Sequence, residues 1–196
     1  MTHNVYASQL LPYNYSLAYE NSTKGTPLLR PIFMEFPEAK WSFESIDSYM
    51  WGPAFLVHAI TDSLNSAAYK NQRMITTLLP QTASWFDFHS GQLVANEKMP
   101  HVSQTDYHVV MTPKTLQHIP VFVRSGSFVP MSPVVQSTET YQDSAVVIHY
   151  YIDAQQGSLS SEFVWFEDDG STFDAENKGV SKKLLCKSVK SAALCT

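Results

Sequence analysis

The chain has only two cysteines among its 196 residues, Cys186 and Cys195, and both lie near the C-terminal end. This count excludes the dense disulfide framework that holds small secreted domains together. Two free thiols are therefore the first expectation, and a single local bridge between the two cysteines is the alternative.

Basic residues and long apolar runs are also scarce. Lys and Arg number 13 against 18 Asp and Glu, giving a net charge of -5. No basic run could follow a phosphate backbone, so we expect no nucleic-acid partner. No apolar run approaches the roughly 20 residues of a membrane span, so no membrane partner is expected either. Residues 1–5 lack the pattern of a signal peptide, which suits a cytosolic chain or a piece of a longer one.

Recognisable catalytic machinery is missing from the sequence as well. It contains no phosphate loop, no dinucleotide fingerprint and no Gly-x-Ser-x-Gly elbow. The seven histidines are scattered without the spacing of a zinc site, so we expect no metal and no cofactor. The acidic stretch Glu167-Asp168-Asp169-Gly170 is interpreted as a solvated turn, because a cation loop needs more oxygen ligands in register.

Aromatic and hydrophobic residues, in contrast, are plentiful. They make up 13% and 44% of the chain, which is enough apolar surface for a folded core. Aromatic side chains can also stack on sugar rings. The four tryptophans fall at strand spacing, however, and we expect core positions for Trp41, Trp51, Trp85 and Trp165.

The first part of the chain has the pattern of one α/β unit. Residues 6–24 have helical spacing and end at Gly25, and residues 28–36 form a largely apolar segment that predicts a buried parallel strand. This helix–strand unit occurs once, so either its parallel strand is alone or the strands that would pair with it are missing from this chain. The helix carries two Asn-x-Ser/Thr triplets, at Asn14 and Asn21, whose helical setting makes them weak glycosylation candidates.

From residue 47 onward the pattern is all-β. Short strands separated by turn residues predict an antiparallel sandwich, and the candidate segments are 54–60, 74–79, 85–88, 107–111, 119–123, 146–152 and 163–166. Residues 116–131 predict a buried hairpin with its corner at Arg124-Ser125-Gly126. Residues 132–143 are the best candidate for an inter-domain crossing, and residues 182–190 fit a strand or a short helix.

Read together, several segments resemble the C-terminal part of glycoside hydrolase family 31, the α-glucosidase and α-xylosidase family. The clearest is His118-Ile119-Pro120-Val121-Phe122-Val123-Arg124-Ser125-Gly126, which is similar to a hairpin of the family's β-sandwich. Five further segments resemble the family, and all of them occur in the family's order along the chain. They are residues 11–13 together with 17–20, residues 25–31 together with 35–37, and residues 51–57, 85–91 and 166–170. The ordered set runs from about residue 10 to about residue 174.

The resemblance implies a mainly β fold, with an antiparallel β-sandwich preceded by a helix and strand from the end of a (β/α)8 barrel. Residues 1–46 would be that barrel end, 47–135 the proximal sandwich and 136–196 part of a distal β domain. The family performs retaining hydrolysis of α-linked glycosides with two carboxylates roughly 5 Å apart. Both belong to upstream barrel motifs, so no catalytic residue is assigned here.

Two functions follow as hypotheses. The first is a supporting C-terminal part of such a glycosidase, which meets its α-glycoside substrate through the barrel of the intact enzyme. The second is a stand-alone, non-catalytic β-sandwich that binds carbohydrate or a partner protein. If any residue faces an active site, barrel geometry points to Glu35 as a substrate-binding candidate. A structural Glu35, held by a local donor, is the favoured interpretation.

Overall fold

The computed structural model describes residues 6, 8–61, 74–94, 106–115, 118–153, 161–173, 176–189 and 192–195. Asn71-Gln72 and Gln156-Gly157, whose residue types predict turns between strands, lie outside these residues, as do His3 and His101. None of the helices in the described ranges combines the length and apolar character needed to cross a bilayer.

The described elements are mostly short strands. Among the described residues, the α-helices with complete bounds are α1 (Leu11–Lys24) and α2 (Ile32–Glu35), and residues 6, 8 and 9 are also helical. Turns of 3-10 helix lie at Lys40–Phe43, Thr138–Thr140 and Asp143–Ala145. The strands are β1 (Leu29–Pro31), β2 (Ser48–Trp51), β3 (Phe55–His58), β4 (Met74–Pro80), β5 (Trp85–Asp87), β6 (Tyr107–Pro113), β7 (Val121–Arg124), β8 (Phe128–Met131), β9 (Val147–Tyr150), β10 (Glu162–Glu167), β11 (Lys182–Val189) and β12 (Ala192–Cys195).

Contacts divide the chain into two compact units. The central unit is Leu29–Ser125, and the terminal unit combines Met1–Leu28 with Gly126–Thr196. The predicted crossing at 132–143 falls inside the terminal unit. These two units are defined by contacts within this chain. The predicted domains 1–46, 47–135 and 136–196 refer instead to a longer protein, and they stay a prediction.

The central unit is built on a five-stranded sheet in the order β1-β2-β3-β7-β5 and on the β4–β6 pair. Every pairing is antiparallel. Strand β4 alternates exposed and buried side chains through Ile75, Thr77 and Leu79, as a strand with one face on a core should. Its Leu79 joins a buried cluster supplied mainly by the larger sheet and α2, namely Ile32, Phe36, Ala39, Met50, Leu56, Ala83, Trp85 and Phe122.

The terminal unit packs α1 against strands. Its sheets are β10-β11-β12 and β8-β9, again antiparallel. Pro12 lies in the first turn of α1, where a missing backbone donor costs little, and Gly25 ends the helix with a φ of 72°. The buried stripe of α1 includes Tyr13, whose ring stacks on Phe163 of β10 with a centroid distance of 5.7 Å.

The mainly β, antiparallel sandwich class predicted from the sequence is confirmed. The segment 182–190, left open between strand and helix, contains β11. The barrel origin of the first helix and strand remains a prediction.

The hairpin predicted at 116–131 is wrong in its pairing, although its strands and its glycine corner are present. Strand β7 pairs with β3 and β5, while β8 pairs with β9. Gly126 has a φ of 86° as expected. The reason lies in the corner amides: Ser125 donates its N–H to the carbonyl of Ser84 at 2.8 Å, and Gly126 donates to that of Tyr151 at 2.7 Å. Neither amide closes a hairpin.

The parallel strand predicted at 28–36 is also wrong. Only Leu29–Pro31 is extended, and it pairs antiparallel with β2. Residues Ile32–Glu35 then form a single helical turn, closed by the Phe36 N–H donating to the Ile32 carbonyl at 3.0 Å. Pro31 explains the break, because it lacks the donor that a continuing strand would need and suits the start of a helix.

The expectation of two free thiols is corrected as well. Cys186 of β11 lies directly opposite Cys195 of β12, and the two form a disulfide with Cα atoms 4.0 Å apart. Pairing in one hairpin brings side chains that are nine positions apart in sequence onto the same face. This is the local bridge that the sequence left as the alternative.

Candidate functional site

The short helix α2 places Glu35 at the rim of a cleft in the central unit. Ile32, at the start of the turn, is fully buried, so the turn is anchored to the core. Glu35, at its end, keeps a side chain that is 18% exposed. The turn thus begins with a hydrophobic anchor and ends with a partly exposed carboxylate.

Arg30 is the first partner of that carboxylate. It lies in β1 with only 5% of its surface exposed, and a guanidinium so deep in protein needs a matched anion. The Nη1 group of Arg30 donates to Oε1 of Glu35 across the β1–α2 turn. The local donor that the structural interpretation of Glu35 requires is therefore present, although the role of Glu35 itself stays a prediction.

Arg124, at the end of β7, is the second partner. Its Nη1 lies 4.0 Å from Oε2 of Glu35, and its guanidinium carbon lies 4.8 Å from the centroid of the Phe36 ring. Burial lowers the pKa of Arg124, and the charge of Glu35 opposes that effect. An aromatic face and a carboxylate together provide the electrostatic stabilisation that a partly desolvated guanidinium requires.

The cleft beside this cluster has a volume of about 540 Å³. Its lining includes three acidic side chains, Glu35, Glu38 and Asp106, and the basic side chain of Arg124. Glu35 directs both of its carboxylate oxygens toward guanidinium groups, which suits an anchoring group better than a nucleophile or a proton donor. The arrangement is able to hold the β1–α2 and β7 segments in register at the rim of the cleft.

Two members of this cluster were missed by sequence reasoning. Arg30 carried no role, and Arg124 was assigned only to a structural corner. A signal did exist for the first, because an arginine within an apolar segment and an acid five positions later predict an internal ion pair. For Arg124 the sequence offered no such sign, since its partner lies far away along the chain.

The acidic turn after β10 belongs to the terminal unit and is satisfied by protein groups. Asp169 accepts the N–H groups of Ser171 and Thr172, at 3.2 and 2.8 Å. The Thr172 hydroxyl also donates to Oδ2 of Asp169, and this bond, followed by the two N–H bonds, lowers the pKa of Asp169. No group of three His, Cys, Asp or Glu with the geometry of a metal site occurs in the part of the chain that the structure describes.

Two tyrosines bind the carboxylates that precede Asp169. Tyr15 of α1 donates its hydroxyl to Asp168 at 2.6 Å, and Tyr141 donates to Glu167 at 2.5 Å. Burial, followed by the bond to Asp168, raises the pKa of Tyr15 to about 12. The pKa of Tyr141 is raised for the corresponding reasons. A cleft of about 560 Å³ adjoins these pairs, but its acids already have donors.

Of the four tryptophans expected in the core, only Trp85 is buried, whereas Trp41, Trp51 and Trp165 are half-buried. Trp85 is 1% exposed, and its indole N–H donates to the Pro80 carbonyl at 2.9 Å. Trp41 packs against the central core, and Trp165 donates to Glu167 at 2.8 Å. These positions count against a row of exposed aromatic rings on one sheet face.

Comparison with known proteins identifies the family. The family model for the glycosyl hydrolase family 31 C-terminal domain matches residues 25–129, more than half of the chain. Human neutral alpha-glucosidase AB is 33% identical over 171 residues, which cover 86% of this chain and 16% of that protein. An alpha-xylosidase of Saccharolobus solfataricus is 30% identical over 169 residues, covering 86% of this chain and 20% of the relative.

A solved structure supports the same family assignment. The GH31 alpha-xylosidase from Xanthomonas citri matches with a TM-score of 0.73 and 26% identity, covering 93% of this chain and 17% of that one. The chain thus spans about a sixth to a fifth of the length of these proteins. The likeness covers both the sequence motifs and the antiparallel strands described above, and the chain belongs to glycoside hydrolase family 31.

Proposed function

We propose that this chain is the C-terminal, supporting part of a retaining glycoside hydrolase that acts on α-linked glycosides. The match to the family's C-terminal domain carries the proposal, because it covers residues 25–129. The relatives are an alpha-glucosidase and alpha-xylosidases, all several times longer than this chain. The carboxylate pair that performs the hydrolysis would lie in the remainder of the protein.

Exposed apolar side chains near the start of the central unit support this assignment. They are Leu29, Phe33, Met34, Phe43 and Ile46, of which Ile46 is 90% exposed. The rings of Phe33 and Phe43 stack with centroids 5.0 Å apart, so the helix α2 and the following 3-10 turn share one apolar surface. Surfaces of this kind usually contact another protein surface. The preceding barrel of the longer protein is the partner that we propose for it.

The α-glycoside substrate would be met through that barrel. Within this chain the proposed role of Glu35 is to pair with Arg30 and Arg124 and so hold the segments around the cleft. The chain alone is therefore expected to bind no glycoside productively and to need no cofactor.

The test is hydrolysis by the purified chain. An aryl α-glucoside and an aryl α-xyloside should release their chromophore no faster than in buffer, while the full-length Saccharolobus solfataricus alpha-xylosidase serves as the positive control. A saturable rate from the chain that disappears in Glu35→Gln would overturn the proposal. A saturable rate that survives in Glu35→Gln would overturn it too, and would point to other carboxylates.

A further inference from the structure

Helix α1 carries two Asn-x-Ser/Thr triplets in different surroundings. The first, Asn14-Tyr15-Ser16, is part of the packing: Oδ1 of Asn14 is buried, and Ser16 is 3% exposed. The Ser16 hydroxyl donates to the Pro12 carbonyl at 2.8 Å and accepts the N–H of Phe166 at 3.0 Å. A branched sugar on Asn14 would have to displace this packing.

The second triplet, Asn21-Ser22-Thr23, lies in the last turn of α1 with all three residues exposed. The hydroxyls of Ser22 and Thr23 donate to the Tyr19 carbonyl at 2.8 and 2.9 Å. Gly25, two residues after Thr23, adopts the left-handed conformation and ends the helix. The hydrogen bond that the Asn21 side chain makes to Thr26 is itself exposed.

We propose that Asn21 is an N-glycosylation site and that Asn14 is not modified in the folded protein. The amide nitrogen of Asn21 would form a bond to the anomeric carbon of an oligosaccharide carried on a lipid pyrophosphate. The bond from that carbon to the pyrophosphate oxygen breaks, the lipid pyrophosphate leaves, and the transferase takes up one amide proton. The co-reactant is thus a lipid-linked oligosaccharide.

The geometry at Asn21 tolerates this change. Its Nδ2 donates to the Thr26 carbonyl at 3.1 Å. An unmodified amide nitrogen carries two hydrogens, and glycosylation removes only one of them. The remaining N–H is able to keep the bond to Thr26, so the helix end retains its contact while the sugar extends into solvent.

The disulfide in the same unit agrees independently with the required compartment. Disulfides such as Cys186–Cys195 form and persist where the surroundings are oxidising, including the lumen in which N-glycans are transferred. A chain that meets the lipid-linked oligosaccharide would also form this bridge. The inference does not rest on the proposed glycosidase role.

The test directs the full chain into the secretory pathway of a eukaryotic host and analyses all of the chain recovered, whether secreted or cell-associated. Enzymatic removal of N-glycans should lower its mass and leave Asp at position 21. Two exposed neighbours provide a matched pair: Thr23→Ala destroys the triplet and should lose the glycan, whereas Ser22→Ala preserves it and should keep it.

Substitution of the acceptors separates the two triplets. Asn21→Gln should abolish the mass shift in the folded chain, and Asn14→Gln should leave it unchanged. An unmodified Asn21 in the wild-type chain would overturn the proposal. So would a glycan on Asn14 in chain that retains the thermal unfolding transition of the unmodified protein.

Discussion

The central unit takes its buried side chains from strands of two sheets, whereas the terminal unit depends on a helix laid against β10. The central core is a contiguous cluster that includes Met50, Leu56 and Phe122, with a buried arginine at its margin. The terminal unit adds hydrogen bonds from tyrosines to carboxylates and a covalent bridge between two strands. Both units therefore have apolar packing, and the terminal unit adds polar and covalent cross-links to it.

This difference has an energetic consequence. Removal of one partner of a buried ion pair leaves an uncompensated charge, which costs much more than the loss of a bond at an exposed position. We therefore expect the central unit to be most sensitive to a single charge change. The terminal unit should respond instead to reductant and to alkali.

The largest effect is expected from Glu35→Gln. The substitution keeps the volume but removes the negative charge that faces Arg30, so the free energy of unfolding of the central unit should fall by about 2 to 3 kcal/mol. Urea unfolding, with hydrogen exchange of the β1 and β2 amides as the local readout, measures the loss.

Glu38→Gln is the matched control, because Glu38 lines the same cleft and is exposed. It should change the unfolding free energy by less than about 0.5 kcal/mol. Equal effects of the two variants would contradict an anchoring role. In a longer enzyme that contains this segment, Glu35→Ala should alter stability more than substrate affinity, and a large selective loss of turnover would argue for direct substrate contact.

The next largest effect is expected from the bridge in the terminal unit. Opening Cys186–Cys195 releases a short loop whose closure restricts the unfolded chain, and the expected loss is about 2 kcal/mol. Hydrogen exchange of the β11 amides should become faster in reductant, while β2 and β3 of the central unit stay unchanged. In Cys195→Ser the reductant should have no effect. A wild-type chain that ignores reductant would show that the bridge contributes nothing to stability.

The smallest effects are expected from pH, with Tyr15 of the terminal unit and the histidines of the central unit responding at opposite ends of the scale. The pKa of Tyr15 is raised to about 12, so the folded state favours the neutral phenol. That stabilisation is fully present below the usual tyrosine pKa near 10 and is lost as the pH rises through 12. Alkaline unfolding should begin in the terminal unit, and Tyr15→Phe should weaken its dependence on pH.

In the central unit the pKa values of two histidines are shifted downward, so stability is lost toward acid pH instead of alkaline pH. Burial lowers the pKa values of His58 and His108, so the folded state favours the neutral rings. Their contribution is present above the usual histidine pKa near 6.5 and is lost as the pH falls through their lowered values. Hydrogen exchange of β3 amides at falling pH measures it, and His58→Gln should be less sensitive. If both units lost protection at the same pH, the comparison between them would fail.

Much of the strand pattern was predictable because it depends on local features. Alternating apolar residues and turn glycines placed β4, β5 and β10 close to their observed positions. The helix end at Gly25 followed from the preference of glycine for the left-handed conformation. The segment 28–36 failed because its apolar composition fits a strand and a buried helical turn equally well, and Pro31 decided between them.

The candidate site was less accessible to such reasoning. Glu35 was singled out from the sequence, but its two arginine partners were not. Arg30 is close to it in the chain, whereas Arg124 reaches it only because β7 joins the central sheet. The order of strands in a sheet is not encoded in the residues near Glu35, so those residues do not predict Arg124 as its partner.

By itself, the sequence determined where strands such as β4, β5 and β10 fall, the mainly β class and the resemblance to family 31, because these depend on local periodicity and on ordered motifs. The tertiary structure alone decided which strands pair. It separated β7 from β8, turned β1 antiparallel to β2, brought Arg124 to Glu35 and closed Cys186 onto Cys195. These outcomes depend on which segments pair, through backbone hydrogen bonds and packing that local residue preferences do not specify.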